Sequence, residues 1–450
     1  MTTNCVLLTI DSLRADHATE AAGFMPRLTE YANSGVRFTR MYSNGYSTPI
    51  SFPTILTGTY ADHYGGHGYI SDDRPFLAEK FRSAGYETAG FHTNPHLRDE
   101  KNYDVGFETY NDFDDEAGQL SRLRYLITQN LDSDSMVYKL LKRAYHFART
   151  TSGSSDYTEA AKLNEKVLRW FDEEYNNDNP FFLWTHYMDV HYPFYPPDEF
   201  LKSVTDSPIS NNRAISLNGK MHEEGTELSE AEADDLRSLY RGDIRYLDHH
   251  IGELIEALKQ RGLFEGTVFI ITSDHGELFG EHGLFGHPPS GYEESFHVPL
   301  FCFGPGVPKE TNIKELNSLV DLPPTIAELF DLEIDPNWEG TSLVPSLTGE
   351  SSETERELFL GDKNVLSYQN GSWRLVWWRT KENPEQPDTE WELWQLPDCE
   401  RVPLDEQEEI VERFRENLQE YLDRTEGHEE LAEPAVDEAT EDRLEALGYK

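Results

Sequence analysis

The sequence predicts an α/β protein with a mostly parallel central sheet, and three observations carry that prediction. Short, continuously apolar runs recur along the chain, longer helical patterns separate them, and two of the runs end directly in acidic residues. Strands buried on both faces by helices read as such unbroken apolar runs.

The runs are Val6–Ile10, Thr88–Phe91, Phe181–Thr185, Val268–Thr272 and Pro299–Phe303. Between the third and fourth lies the clearest helix. Ser229 and Glu232 form a capping box, Leu236, Tyr240, Ile244, Leu247, Ile251, Leu254 and Leu258 step by three or four, and Gly262 is the stop. This is a βαβ alternation. Residues 114–155 are polar and helix-prone and read as an insertion on the rim, while 201–227 are turn-rich with little periodicity. Either stretch suits a lid. After Leu347 the pattern changes: Ser372–Trp378 and Trp391–Leu396 alternate and are aromatic, as in a small antiparallel sheet. The last stretch, from about residue 406, reads as acidic amphipathic helices. The expected division is therefore 1–350 as a catalytic domain and 351–450 as a C-terminal subdomain.

At 450 residues, the chain is long enough for a large core. Its 84 acidic and 39 basic side chains leave a net charge of −45, spread along the whole length. Such a surface repels nucleic acid and anionic lipid, and its self-repulsion is relieved by concentrated salt. A halophilic cytosol is the expected home. Cys5, Cys302 and Cys399 have no metal-type spacing, and Cys5 and Cys302 sit in apolar runs as small core residues. The N-terminus has no basic start or cleavage site, and no stretch approaches the roughly 20 apolar residues of a membrane span, so a cytoplasmic, soluble protein is expected.

The chemistry gathers at strand ends. Val6–Ile10 runs into Asp11-Ser12-Leu13-Arg14-Ala15-Asp16-His17, and Val268–Thr272 runs into Ser273-Asp274-His275-Gly276-Glu277. Open α/β sheets collect ligands at the carboxyl ends of their strands. Asp11, Asp274 and His275 are thus expected to meet as hard ligands for a divalent ion. Between them, Tyr46–Gly58 opens a helix with three eligible hydroxyls, Ser47, Thr48 and Ser51. A hydroxyl at a helix N-terminus is placed to attack an anionic ester, because the helix dipole favours the anion there.

Taken in order, these segments resemble the sulfatase family of the alkaline phosphatase superfamily. Further marks are Leu56-Thr57-Gly58, the run from Met188 through His191 to Pro197, Gly280-Glu281-His282-Gly283, the run from Tyr292 to Pro299, and that from Val320 to Thr325. The tail Leu447-Gly448-Tyr449-Lys450 looks like that of archaeal, haloarchaeal members. The resemblance implies a three-layer alkaline-phosphatase-like sandwich and one divalent metal, typically Ca²⁺, with Mn²⁺, Zn²⁺ or Mg²⁺ also suiting the ligands. Its register places the nucleophile at Thr48 and the metal on Asp11, Thr48, Asp274 and His275. It gives His191 and His287 substrate-contacting or proton-transferring roles, with His282 and His63 as weaker candidates.

Four positions depart from the family pattern. Typical members have Cys or Ser at the nucleophile, matured to formylglycine, then Pro and Arg two and four places on. Here these are Thr48, Ile50 and Phe52, and Ser12 replaces the usual second acid. A threonine adduct cannot expel sulfate by collapsing to an aldehyde, which favours phosphoryl chemistry. The implied function is a metal-dependent hydrolase of sulfate or phosphate esters, a sulfated or phosphorylated glycan being one candidate substrate. The alternatives are a phosphoglycerol-type transferase and a silent binder of anionic saccharides. Asp16, His17, Asn94 and His96 lie near strand ends, where capping serves as well as a site role.

Overall fold

The computed structural model describes residues 3–111, 159–221, 228–349, 356–380, 389–425, 430–434, 440, 441 and 444. The expected insertion at 114–155 lies outside them. The large sheet contains β1 (Asn4–Ile10), β2 (Val36–Tyr42), β3 (Glu87–Phe91), β4 (Thr109–Asn111), β5 (Phe181–Tyr187) and β6 (Thr267–Ser273). A small hairpin, β7 (Leu278–Phe279) and β8 (Phe285–Gly286), follows β6. The large sheet then resumes with β9 (His297–Phe303), β10 (Thr311–Ile313) and β11 (Asn317–Ser318). Its order is β10-β2-β9-β6-β1-β5-β3-β4, with β11 also on β2.

All pairings in this sheet are parallel except those of β9, which runs antiparallel to both β2 and β6. An apolar run cannot reveal its direction, so Pro299–Phe303 reads like its neighbours in the sequence. Alternate side chains of β1 go to opposite faces. Val6, Leu8 and Ile10 enter one core with helices Pro26–Asn33, Ala160–Glu173 and Glu230–Gln260. Cys5 and Leu7 enter the other with helices Thr48–Thr57, Leu77–Ser83 and Leu322–Leu329. Helices thus cover both faces, making three layers.

The long helix has its capping box, with Ser229 N–H donating to Glu232 Oε2 at 3.0 Å. The turn-rich reading of 201–227 is corrected by a helix at Asn211–Met221, whose buried Ala214, Leu217, Asn218 and Met221 step by three, one and three. Polar Asn218 on the buried face masks that periodicity.

The second sheet is β12 (Leu358–Gly361), β13 (Val365–Gln369), β14 (Trp373–Trp378), β15 (Trp391–Gln395) and β16 (Glu400–Val402), antiparallel throughout. Helix Glu408–Asp423 packs on it through Val411, Phe414, Leu418 and Tyr421. Beyond it, residues 430–434 are not helical, while residues 440, 441 and 444 are. Among the described residues, no helix is long and apolar enough to cross a membrane.

Candidate active site

Register builds the site. Ile10 of β1 lies beside Ser273 of β6 and Tyr187 of β5, so the residues that follow, Asp11 and Asp274, emerge together at the carboxyl edge. Chain direction brings the third part: β2 ends at Tyr42 on that edge, and a turn through Ser47 starts the helix at Thr48. The sequence reading lacked this strand, because Val36–Tyr42 carries Arg37 and Arg40 among its apolar residues.

Thr48 Oγ1 lies 3.0 Å from Asp274 Oδ2, 3.2 Å from Asp11 Oδ2 and 3.5 Å from His275 Nε2. His275 Nε2 stands 3.4 Å from Asp11 and 3.6 Å from Asp274. All four side chains are fully buried. The other hydroxyls are engaged elsewhere. Ser51 Oγ donates to the Gly45 carbonyl at 3.2 Å, and Ser47 makes no side-chain capping bond. The backbone cradle at this helix is thinner than its position suggests. Pro49 has no N–H, and the Ile50 and Ser51 amides both donate to the Ser47 carbonyl.

Two residues join the group that sequence reasoning did not place there. His186, the penultimate residue of β5, points Nε2 at Asp11 Oδ2 at 3.3 Å and Nδ1 at Thr9 Oγ1 at 3.0 Å. Asn94 Nδ2 donates to Asp11 Oδ2 at 3.0 Å and to Thr48 Oγ1 at 3.3 Å, while its Oδ1 caps His96 N–H. Asn94 is therefore both a cap and a neighbour of the site. Ser12, at φ 59°, donates Oγ to Asp11 Oδ1 and its amide to Asp274 Oδ1. Phe52 is a buried core ring set edge-on to His186.

His191 and His287 reach the same place. The His287 ring is 4.8 Å from that of His275 and 5.0 Å from that of His191. His287 Nδ1 is 3.1 Å from Glu277 Oε2, a fully buried carboxylate. His63 and His282 lie apart from this cluster in their contacts. His63 pairs with Glu339 and packs on Tyr421, and His282 stacks on Tyr292 at 3.8 Å. Asp16 and His17 pair with each other, and Arg14 binds Asp16 and Glu281.

The charges are set by burial and by one another. Burial penalises both central carboxylates. At Asp11 the imidazoles of His191, His186 and His275 outweigh it and hold the group well below the usual carboxylate range. Burial, then the Asp11 charge, pushes Asp274 up to about 8. Burial also lowers His275 and His191 to about 4, so both are neutral. Burial opposes protonation of His287 too, yet Glu277 carries its pKa above the ordinary value.

These donors fit a divalent cation. Two buried carboxylates face one hydroxyl whose single proton serves only one of them, and a neutral imidazole borders the pair. Asp11, His186 and Asp274 offer ligand atoms that all lie within 4.8 Å of one another, one of two such groups among the described residues, the other being His249, His250 and Glu253 on the long helix. Hard oxygens with imidazole suit Ca²⁺, Mg²⁺, Mn²⁺ or Zn²⁺.

A hydroxyl at a helix start over strand-end carboxylates, on a three-layer fold of this kind, defines an alkaline-phosphatase-like protein. Within that class the chain belongs to the sulfatase family, whose model matches residues 3–332. It is 31% identical over 209 residues to arylsulfatase K of Bos taurus, covering 41% of this chain but 38% of that protein. An arylsulfatase of Clostridium perfringens is 26% identical over 407 residues, 80% of this chain and 82% of that protein. Among solved structures, a phosphonate monoester hydrolase from Silicibacter pomeroyi superposes with TM-score 0.68 at 21% identity, over 95% of this chain and 96% of that one. A protein solved in complex with its substrate D-glucosamine-2-N,6-O-disulfate gives TM-score 0.66 at 16% identity, over 96% of this chain and 100% of that one.

Proposed function

We propose that the protein is a metal-dependent hydrolase of sulfate or phosphate esters in which unmodified Thr48 is the nucleophile, and that it prefers phosphoryl groups. The observation that carries this reading is the convergence of Thr48 Oγ1 on Asp11, Asp274 and His275. Asp11, Thr48, Asp274 and His275 would hold the ion, with His186 as a further donor. When bound, the ion lowers the hydroxyl pKa and polarises the ester.

Thr48 Oγ1 passes its proton to water and forms a bond to phosphorus, while the ester oxygen leaves. His287, whose pKa Glu277 raises against the effect of burial, donates the proton that the leaving oxygen takes. Neutral His191 beside it donates Nδ1–H to the Tyr192 carbonyl, so its Nε2 can accept from a hydroxyl on the alcohol portion of the ester. Water then cleaves the phosphothreonine. An alcohol in place of water would make the same site a transferase. Sulfate on threonine lacks the aldehyde exit, which is why phosphoryl esters are preferred. Anionic glycans fit as natural substrates, in keeping with the disulfated sugar bound by a structural neighbour.

In this reading residues 1–350 are the catalytic domain and 351–450 an appended subdomain. The excess of 84 acidic over 39 basic side chains supports a halophilic, cytosolic, archaeal setting.

Thr48→Ala should lose turnover of an aryl phosphate by several orders of magnitude, as when a covalent step is removed. Ser47→Ala should keep most of it. Mass spectrometry of a quenched reaction should find phosphate on Thr48. Loss on Ser47→Ala instead would move the nucleophile by one residue, and activity in both variants would point to a water nucleophile. A chain that binds anionic saccharide without turning over any ester would be the silent binder.

A further inference from the structure

A buried lysine beside this site is neutralised by an exposed glutamate from the far end of the chain. Lys101 is 4% exposed, and its Nζ lies 3.3 Å from His96 Nδ1. His96 is capped by Asn94, which itself bonds Thr48 and Asp11, and His96 is close enough to Asp11 to feel its charge. Lys101 is thus separated from the nucleophile by two side chains.

Its carboxylate partner is Glu433, on segment 430–434, which is neither helix nor strand. The segment is anchored by Leu431 N–H, which donates to the Gly65 carbonyl at 2.7 Å. Three residues earlier, Glu430 pairs with Lys363 at 2.9 Å. His67 is near enough to both lysines to feel their charges. With two acids for every base, a Lys–Glu pair is ordinary in this chain. What is not ordinary is the asymmetry: the Lys101 side chain is 5% exposed, whereas that of Glu433 is 54% exposed. A desolvated ammonium requires an anion. A carboxylate half in water gives up its place at little cost.

Resting on the ester-hydrolase reading above, we infer that Lys101 and Lys363 form a subsite for a second anionic group on the substrate. Glu430 and Glu433 occupy that subsite here as stand-ins for it. The ligand class is an ester carrying a further sulfate, phosphate or carboxylate, since an ammonium recognises any of these as a point charge. Segment 430–434 is then a built-in competitor that such a substrate displaces and a singly charged ester does not.

The test uses the full chain, an aryl phosphate, the same ester bearing a ring sulfonate, and benzene disulfonate as a ligand that cannot react. Glu430→Gln with Glu433→Gln should lower KM for the sulfonated ester and tighten disulfonate binding in calorimetry, with kcat unchanged. Lys101→Met should raise the ratio of the two KM values, sulfonated over plain, about tenfold, the worth of one charged hydrogen bond, and Lys101→Arg should restore much of it. If neither ester turns over but disulfonate binding follows these substitutions, the subsite stands and the hydrolase reading falls. If turnover depends on Thr48 while neither the KM ratio nor disulfonate binding moves in the glutamate variants, the subsite is overturned. The glutamates are exposed, so that arm holds even if Lys101→Met fails to fold.

Discussion

Thr48 has one proton and two carboxylates within reach, and that imbalance decides how the metal-free site behaves. Asp274 holds the shared proton up to about pH 8 because burial and Asp11 together disfavour a second charge. Its folded pKa is raised, so ionising it costs stability as pH climbs from the ordinary carboxylate value towards 8. A cation removes that cost by displacing the proton. Binding near pH 6.5 should therefore release about one proton per ion, and affinity should rise with pH until about 8 and then level. His275 and His191, already neutral above about 4, add nothing to that count. Calorimetry in buffers of different ionisation enthalpy measures it; no release would mean that Asp274 is not a ligand. Asp274→Asn should lose both metal and turnover, and wild-type metal content in that variant would remove the proposed coordination. Asp11, Asp274 and His275 were legible in the sequence because they close apolar runs, whereas Thr48 was set apart from Ser47 and Ser51 only by the register of the family resemblance. His186 was not, since it sits inside a fully buried strand and reads as a core histidine; only the level of β5 beside β1 exposes its role.

Elements hold these residues by backbone contact as much as by side chains. At Gly276, between His275 and Glu277, a Cβ would lie 1.9 Å from the Glu294 carbonyl oxygen. The Gly276 amide donates to Ser295, so the loop after β6 is fixed against the turn before β9. Gly276→Ala must separate the two, moving His275 on one side and the Glu277–His287 pair on the other. It should destabilise by about 1–3 kcal/mol, typical of overpacking, and lose far more activity than that loss of stability accounts for. A variant with a lowered thermal midpoint but wild-type kcat/KM would show that the loop does not position the site. The apolar runs made β1, β3, β5, β6 and β9 legible. They could not show that β9 is reversed, because direction is set by where the chain turns, here through the short helix Glu293–Phe296, and not by composition. The capping box and stop of helix Glu230–Gln260 were legible because caps are local chemistry.

Over the whole molecule, electrostatics pull in two directions. Many ion pairs join exposed side chains, such as Lys202–Asp198 and Arg424–Glu420, and contribute at most about 1 kcal/mol each. Salt weakens them. Against them stands a net charge of −45, whose repulsion acts between carboxylates everywhere on the surface. The Debye length shrinks from about 10 Å at 0.1 M to about 3 Å at 1 M, so the many long-range repulsions are screened before the few close contacts are. Repulsion therefore loses more than attraction. The midpoint of thermal unfolding should rise steadily from low to molar KCl, in metal-free and metal-loaded protein alike. The Lys363–Glu430 pair, with side chains 42% and 72% exposed, should weaken over the same range. That loosens segment 430–434 while the fold tightens, so KM for a doubly anionic ester should depend on salt differently in wild type and in Glu430→Gln with Glu433→Gln. A midpoint that is flat or falls with KCl would mean that the acidic surface is balanced by local pairing, and the halophilic reading would go with it.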